Sequence, residues 1–248
     1  MFEAKEVTRQ IVEWVADFFQ DNGLPETKAV VGISDGKDSS IVAALCVKAL
    51  GKGRVLGVLM PQGEQHDIDV ALGLCGFLDI GYIMVNIEAP VQMLYDGITA
   101  TGLALNNAAL FNTPARIRMA ALYAVSGIVG GRVANTSNLS EDWVGYATKF
   151  GDAAGDFSPL SDLTVAEVKA VGRELGLEPM FIEKTPMDGL CGKTDEDNLG
   201  FTYDVLDRYI REGVCDDSAV RDRIDRLHKM NLHKVSPMPS YKLHNKAG

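Results

Sequence analysis

Two short stretches hold most of the residues able to do chemistry. The first, Ser34-Asp35-Gly36-Lys37-Asp38-Ser39, lies between an apolar run (Ala29, Val30, Val31, Ile33) and a second one, Ile41-Val42-Ala43-Ala44-Leu45-Cys46-Val47. A strand that turns tightly into a helix leaves several backbone N–H groups without internal partners and aimed at one point. The helix macrodipole adds partial positive charge there, so the point favours phosphate. Gly36 lets the backbone approach an anion, Ser34 and Ser39 offer hydroxyls, and Asp38 can hold a magnesium ion beside the phosphates. Neither G-x-x-x-x-G-K-[ST] nor G-x-G-x-x-G fits this stretch, which sets the two standard nucleotide fingerprints aside. The bland alternative is an ordinary strand-to-helix turn capped by Asp38 or Ser39.

The second stretch, Asn135-Thr136-Ser137-Asn138-Leu139-Ser140-Glu141, runs on through Trp143 to Leu160 by way of Lys149, Asp152 and Asp156. Polar residues this dense, interleaved with glycine, read as an ordered functional loop. The competing reading is a solvated surface loop, with Glu141 merely opening a short helix.

The elements that must position these stretches alternate as in a parallel sheet flanked by helices. Strands are expected at 29–34, 54–60, 82–86 and 132–136. Helices are expected at 2–21, 39–50, 68–78, 90–101, 113–130, 165–175, 199–210 and 219–230. Three strands end in small or polar residues, and in open α/β sheets those carboxyl ends line the ligand crevice. The 248 residues suffice for one large α/β domain over 1–248, with no linker or repeat to divide it. A net charge of −10 argues against a nucleic-acid surface, so anionic substrates must meet local Lys and Arg. No apolar run is long enough for a membrane span and the N-terminus lacks signal-peptide character. The four cysteines form no C-x-x-C pair, which points to thiols in a reducing cytoplasm.

The first stretch resembles the S-G-G-x-D-S pyrophosphate loop of the N-type ATP pyrophosphatases. Over roughly residues 5–240 the chain is similar to one branch of that family, the ammonia-dependent NAD synthetases. The resemblance rests on Ala115-Arg116-Ile117-Arg118-Met119, on Thr136 through Glu141, and on Ala147-Thr148-Lys149-Phe150-Gly151-Asp152 with Asp156, Pro159 and Leu160. It continues through Glu183-Lys184-Thr185-Pro186, Asp195 through Asp207, and His233-Lys234 with Pro237. His228-Lys229 is a second His-Lys pair, but the downstream proline favours His233-Lys234.

The resemblance implies a doubly wound, Rossmann-like open parallel sheet of the adenine nucleotide alpha hydrolase type. It implies a ligase that joins the carboxylate of nicotinic acid adenine dinucleotide (deamido-NAD) to AMP, releases pyrophosphate, and lets ammonia displace AMP to give NAD. Gly32, Ile33, Ser34, Asp35, Gly36, Lys37, Asp38, Ser39 and Thr136 would contact ATP, and Asp38 and Glu141 would hold Mg2+. Arg116, Lys149, Asp156, His233 and Lys234 would bind the deamidated substrate, and Lys149 and Asp152 would serve catalysis, Asp152 by accepting a proton from ammonium. A homodimer is implied, with the apolar stripe of the first helix and the 113–130 helix as partner surfaces. No glutaminase domain is expected, so ammonia would come free or from a separate glutaminase.

Three positions depart from the family pattern: Asp35 for glycine, Val165 for lysine and Met187 for a small hydroxyl residue. Lys37 is expected to offset Asp35, reaching a phosphate oxygen while Asp35 orients it. Other N-type ATP pyrophosphatases, GMP synthetase-like or tRNA-modifying, and a nucleotide-binding module without turnover stay open as alternatives.

Overall fold

The computed structural model describes residues 2–64, 68–183 and 194–242. Lys184, Thr185, Pro186, Met187 and Cys191 therefore lie outside the described residues. The elements run α1 (Ala4–Asn22), β1 (Lys28–Ile33), α2 (Lys37–Leu50), β2 (Val55–Leu59), α3 (Ile68–Phe77), β3 (Gly81–Met84), α4 (Glu88–Thr99), α5 (Asn107–Val129) and β4 (Gly131–Val133). Then follow α6 (Leu139–Val144), α7 (Val165–Glu174), α8 (Pro179–Ile182), α9 (Asp195–Leu199), α10 (Tyr203–Glu212) and α11 (Ser218–Val235).

The described strands form one parallel sheet of order β3-β2-β1-β4, with Val31 beside Gly57 and Val30 beside Val133. The chain leaves β1 in one direction to build β2 and β3, then returns through α4 and α5 to lay β4 on the other side of β1. That reversal is a topological switch point, and it opens the crevice beyond the C-terminal ends of β1 and β4.

Strand periodicity divides the core. Ala29, Val31 and Ile33 face one side and join α1, α2, α3 and α7, whereas Val30 and Val58 face the other with Met119, Leu122 and Val125 of α5. Gly32 sits on the α5 side, where a Cβ would approach Leu122 and Met60 to 3.2 Å. A third cluster, Val144, Val165, Leu199, Leu206 and Ile224, packs the C-terminal helices onto α6 and α7.

Several boundaries differ from expectation for local reasons. Helix α5 starts at Asn107 rather than 113, because Asn106 caps it by accepting from the Ala109 N–H at 2.9 Å. Pro114 therefore lies inside the helix and leaves the Leu110 carbonyl without its usual donor. The Tyr95 hydroxyl donates to that carbonyl at 3.1 Å. The expected 199–210 helix is two, since Gly200 adopts φ 78° and ends α9 before Thr202 caps α10. The apolar stripe of α1 is spent on the core through Val7, Ile11, Val12, Val15, Phe18 and Phe19. It is not free to serve as a partner surface. Among the described residues no helix is long and apolar enough to cross a membrane.

Candidate active site

The Ser34–Ser39 loop closes on itself through small hydroxyls. Ser39 Oγ lies 3.0 Å from Ser34 Oγ and accepts from the Ser34 N–H at 3.2 Å, while Ser34 Oγ accepts from the Gly36 N–H at 3.1 Å. Gly36 is the N-cap of α2 and brings no capping side chain, so the helix does not begin as an ordinary capped turn. Its first-turn N–H groups face the crevice end of β1 in the manner of an anion cradle.

Lys37, the first residue of α2, turns inward. Its side chain is 1% exposed, and its Nζ donates to Asp38 Oδ2 at 2.8 Å and lies 3.5 Å from Glu141 Oε1. The sequence suggested Asp35 as the lysine's partner; its ion pairs run to Asp38 and Glu141. Burial alone would lower the lysine's pKa, but the charges of Asp38 and Glu141 outweigh it and hold it above its ordinary value. Burial, followed by the charge of Asp38, pushes the Glu141 carboxyl well up, against the pull of Lys37.

Asn138 frames the two carboxylates. Its Nδ2 donates to Asp38 Oδ1 at 3.1 Å, and its Oδ1 accepts from the Glu141 N–H at 3.1 Å as the cap of α6. Glu141 thus opens a short helix and also faces Asp38 across the crevice; the two readings of it coexist. The donor set suits magnesium, which is commonly held by one or two carboxylates with substrate phosphates completing its shell. The Lys37 ammonium already stands as a cation against both. Among the described residues no group of three or more His, Cys, Asp or Glu side chains could hold a metal.

The second stretch forms a loop pinned by Asn135. Its Nδ2 donates to the Asp152 carbonyl at 2.8 Å and the Ala154 carbonyl at 3.2 Å, and its Oδ1 accepts from the Ser137 N–H at 3.0 Å and Ser158 Oγ at 2.8 Å. Gly155 passes so near that a Cβ there would lie 2.7 Å from the Asn135 Cβ. Phe150 holds φ 63°, a left-handed conformation that costs a non-glycine residue roughly 1–2 kcal/mol. It marks the loop as strained beside Lys149.

Four of the expected substrate residues meet around this loop. Arg116 Nε donates to the Lys149 carbonyl at 3.2 Å, and Lys149 Nζ donates to the His233 carbonyl at 2.5 Å. Lys234 Nζ donates to the Gly145 carbonyl at 2.7 Å. A 380 Å3 cavity is lined by Tyr123, Lys149, Phe150, Gly155 and Lys234 among others. Asp152 is exposed at the rim, yet the protein crowded around its carboxyl raises its pKa, opposed by hydrogen bonds that include the Thr148 N–H at 3.0 Å. Burial also pushes Asp142 up to about 6, with the charge of Asp152 adding to it.

Other residues stand apart from these contacts. Asp156 accepts from the Tyr123 hydroxyl at 3.1 Å and from the Val133 N–H at 2.7 Å, so it ties the loop to the end of β4. Among the described residues His233 joins the loop only through its carbonyl; its ring is turned away, with Nδ1 3.0 Å from the Met230 carbonyl of its own helix. His228, of the other His-Lys pair, stacks on Trp143 at 4.2 Å between centroids and contacts the Trp143 carbonyl, a packing role. Thr136 lies half-buried between Asn135 and Ser137. Thr194 and Asp197 form a capping box at the start of α9, and Asp195 accepts from the Tyr203 hydroxyl at 3.4 Å. Sequence reasoning gave no role to Asn135 and Asn138; their positions just after a strand end, in a run of Asn, Thr and Ser, were the signal for both.

Fold and site together define an α/β protein with a strand-to-helix loop and two carboxylates paired on a buried lysine at the sheet's switch point. The NAD synthase family model matches residues 7–246. The NH3-dependent NAD(+) synthetase of Pyrococcus furiosus is 39% identical over 239 residues, covering 91% of each chain. Among solved structures, NMN synthetase from Francisella tularensis is 30% identical with TM-score 0.89, covering 98% of this chain and 100% of that one. NAD+ synthetase from Burkholderia pseudomallei is 31% identical with TM-score 0.79, covering 94% and 90%. The chain belongs to the NAD synthase family, whose members are ligases that form a carbon–nitrogen bond.

Proposed function

We propose that this enzyme amidates deamido-NAD with ammonia, at the expense of ATP, through an acyl-adenylate. The observation that carries the reading is the convergence of Asp38 and Glu141 on one buried cation beside the Ser34–Ser39 cradle. An ATP triphosphate laid on that cradle would take over the Gly36 N–H from Ser34, with Gly32, Ile33 and Thr136 contacting the rest of the nucleotide. Magnesium on Asp38 and Glu141 would gather phosphate oxygens and offset their charge.

The substrate carboxylate attacks the α-phosphorus, a P–O bond to the β-phosphate breaks, and pyrophosphate departs. Ammonia then adds to the acyl carbon, and AMP leaves with the former carboxylate oxygen. Adenylation matters because oxide is not a workable leaving group and AMP is. Asp152, whose raised pKa brings it nearer to proton exchange, takes the proton that ammonium must lose. Lys149, Arg116 and Lys234 face the substrate's anionic groups, His233 lies at the edge of that site, and Asp156 acts by holding the loop to β4.

The enzyme works as a homodimer in the cytoplasm, with free thiols at Cys46, Cys75 and Cys215. The dimer forms through the face of β3, α4 and α5, where Tyr82, Met84, Met93, Leu94, Phe111 and Ile128 are exposed.

One observation favours a second reading, amidation of the mononucleotide instead. The TM-score to the Francisella NMN synthetase, 0.89, exceeds the 0.79 to the Burkholderia NAD+ synthetase. Competing nicotinic acid mononucleotide against deamido-NAD, with ATP, Mg2+ and ammonia, decides between them. A higher kcat/KM for deamido-NAD, with AMP and pyrophosphate in equal amounts, is the expected result. Preference for the mononucleotide would establish the second reading, and ATP turnover with neither would remove both.

A further inference from the structure

Lys37 is badly placed for a cation in every respect but one. It is the first residue of α2, at the positive end of the helix macrodipole, where a positive charge is unfavourable. Its side chain is 1% exposed, and burying an ammonium is costly unless it is paired. Among the described residues its compensation is the pair of carboxylates, at 2.8 and 3.5 Å. Those carboxylates do not depend on Lys37 for their positions. Asp38 is on the same helix and takes a hydrogen bond from Asn138, and Asn138 caps the helix that carries Glu141. The frame would persist if the ammonium moved. Lys37 also lines a 470 Å3 cavity with Val165, Lys169 and Thr194, which gives a displaced ammonium somewhere to go.

We propose that Lys37 is a tethered counter-cation of the metal site, holding Asp38 and Glu141 while no divalent ion is bound and competing with that ion for them. The inference rests on the reading of Asp38 and Glu141 as magnesium ligands. Two cations that use the same carboxylate oxygens are linked: removing one must strengthen binding of the other, and must leave the metal-free protein less stable. The ammonium thus offsets the mutual repulsion of two carboxylates that the Asn138 frame already holds in place. A lysine that served packing alone would have no such effect on metal affinity.

Mn2+ binding to the full chain without nucleotide, followed by the electron paramagnetic resonance of free Mn2+, tests this. Lys37→Met and Lys37→Gln should bind Mn2+ roughly tenfold more tightly than the unaltered protein. Their melting temperatures should fall in chelator and recover with Mn2+. Glu141→Gln should weaken Mn2+ binding with or without the lysine. Unchanged or weaker Mn2+ affinity in both lysine variants overturns the proposal while leaving the metal site standing. Unchanged affinity in Glu141→Gln removes the metal-site reading itself, and the proposal with it. Should Lys37→Met not fold, Lys37→Gln carries the comparison; if neither folds even with Mn2+, the ion cannot replace the ammonium and the proposal is overturned.

Discussion

Replacing Asn135 with Ala should damage stability and turnover together, because one buried side chain fastens the whole loop that carries Lys149 and Asp152. Asn135 is 6% exposed, and its amide satisfies the carbonyls of Asp152 and Ala154, the Ser137 N–H and the Ser158 hydroxyl. At about 1 kcal/mol net for each of these bonds, the loss is about 4 kcal/mol. For a chain of this length that lowers the melting temperature by roughly 10 °C. The loop then loses its register against the end of β4, and a shift of about 1 Å in a reacting group can cost ~100-fold in rate. Gly155→Ala attacks the same joint from the other side, since its Cβ would sit 2.7 Å from the Asn135 Cβ and backbone N. Urea unfolding gives the stability change, and steady-state kinetics of amide formation at saturating ATP gives kcat. A loss under about 1 kcal/mol with kcat unchanged in Asn135→Ala would refute the assignment of Asn135 as the loop's fastening point.

Further predictions concern other parts of the molecule. Gly145 ends α6 at φ 67°, and a Cβ there would lie 2.0 Å from the Asn231 Cβ, so Gly145→Ala should cost about 3 kcal/mol by strain and overpacking, read by urea unfolding. Burial pulls Glu167 up, but hydrogen bonds from Arg211 and the Thr164 N–H leave its pKa lowered; the stability it lends is present above its unfolded pKa and lost as pH falls through the folded one. Arg211→Ala should therefore destabilise the protein near pH 7 by no more than about 1 kcal/mol, because the partly exposed Arg211 is screened by solvent, and the difference should vanish in acid. Sedimentation should find a dimer at micromolar concentration that Ile128→Asp together with Phe111→Asp converts to monomer; a monomeric unaltered protein would remove the apolar face of α5 as an interface.

What could be read from the residues followed the range of the interaction. The alternation of Ala29, Val30, Val31 and Ile33 between two cores is written in period two, and β1 falls within a residue of its expected span. Local caps such as Thr164 with Glu167, and Thr194 with Asp197, have both partners within one turn, so residue spacing alone can specify them. Contacts from distant elements were not. Pro114 reads as a helix start until Tyr95, nineteen positions earlier, supplies a donor to the Leu110 carbonyl. The stripe of α1 reads equally as a core face or a partner surface, and only its packing on α2 and α7 distinguishes them. Lys37 shows the same limit at the site. Neighbouring Asp35 suggested a local pair, whereas the lysine's second carboxylate, Glu141, is more than a hundred residues away and reaches it only through the switch point of the sheet.

The reaction path itself is tested by oxygen transfer. Deamido-NAD carrying 18O in its nicotinate carboxylate, incubated with the enzyme, ATP, Mg2+ and ammonia, should yield NAD and AMP with one 18O atom in the AMP phosphate, seen by mass spectrometry, and none in pyrophosphate. Unlabelled AMP, or release of ADP and labelled inorganic phosphate, would contradict the acyl-adenylate and the pyrophosphate-releasing role given to the Ser34–Ser39 loop.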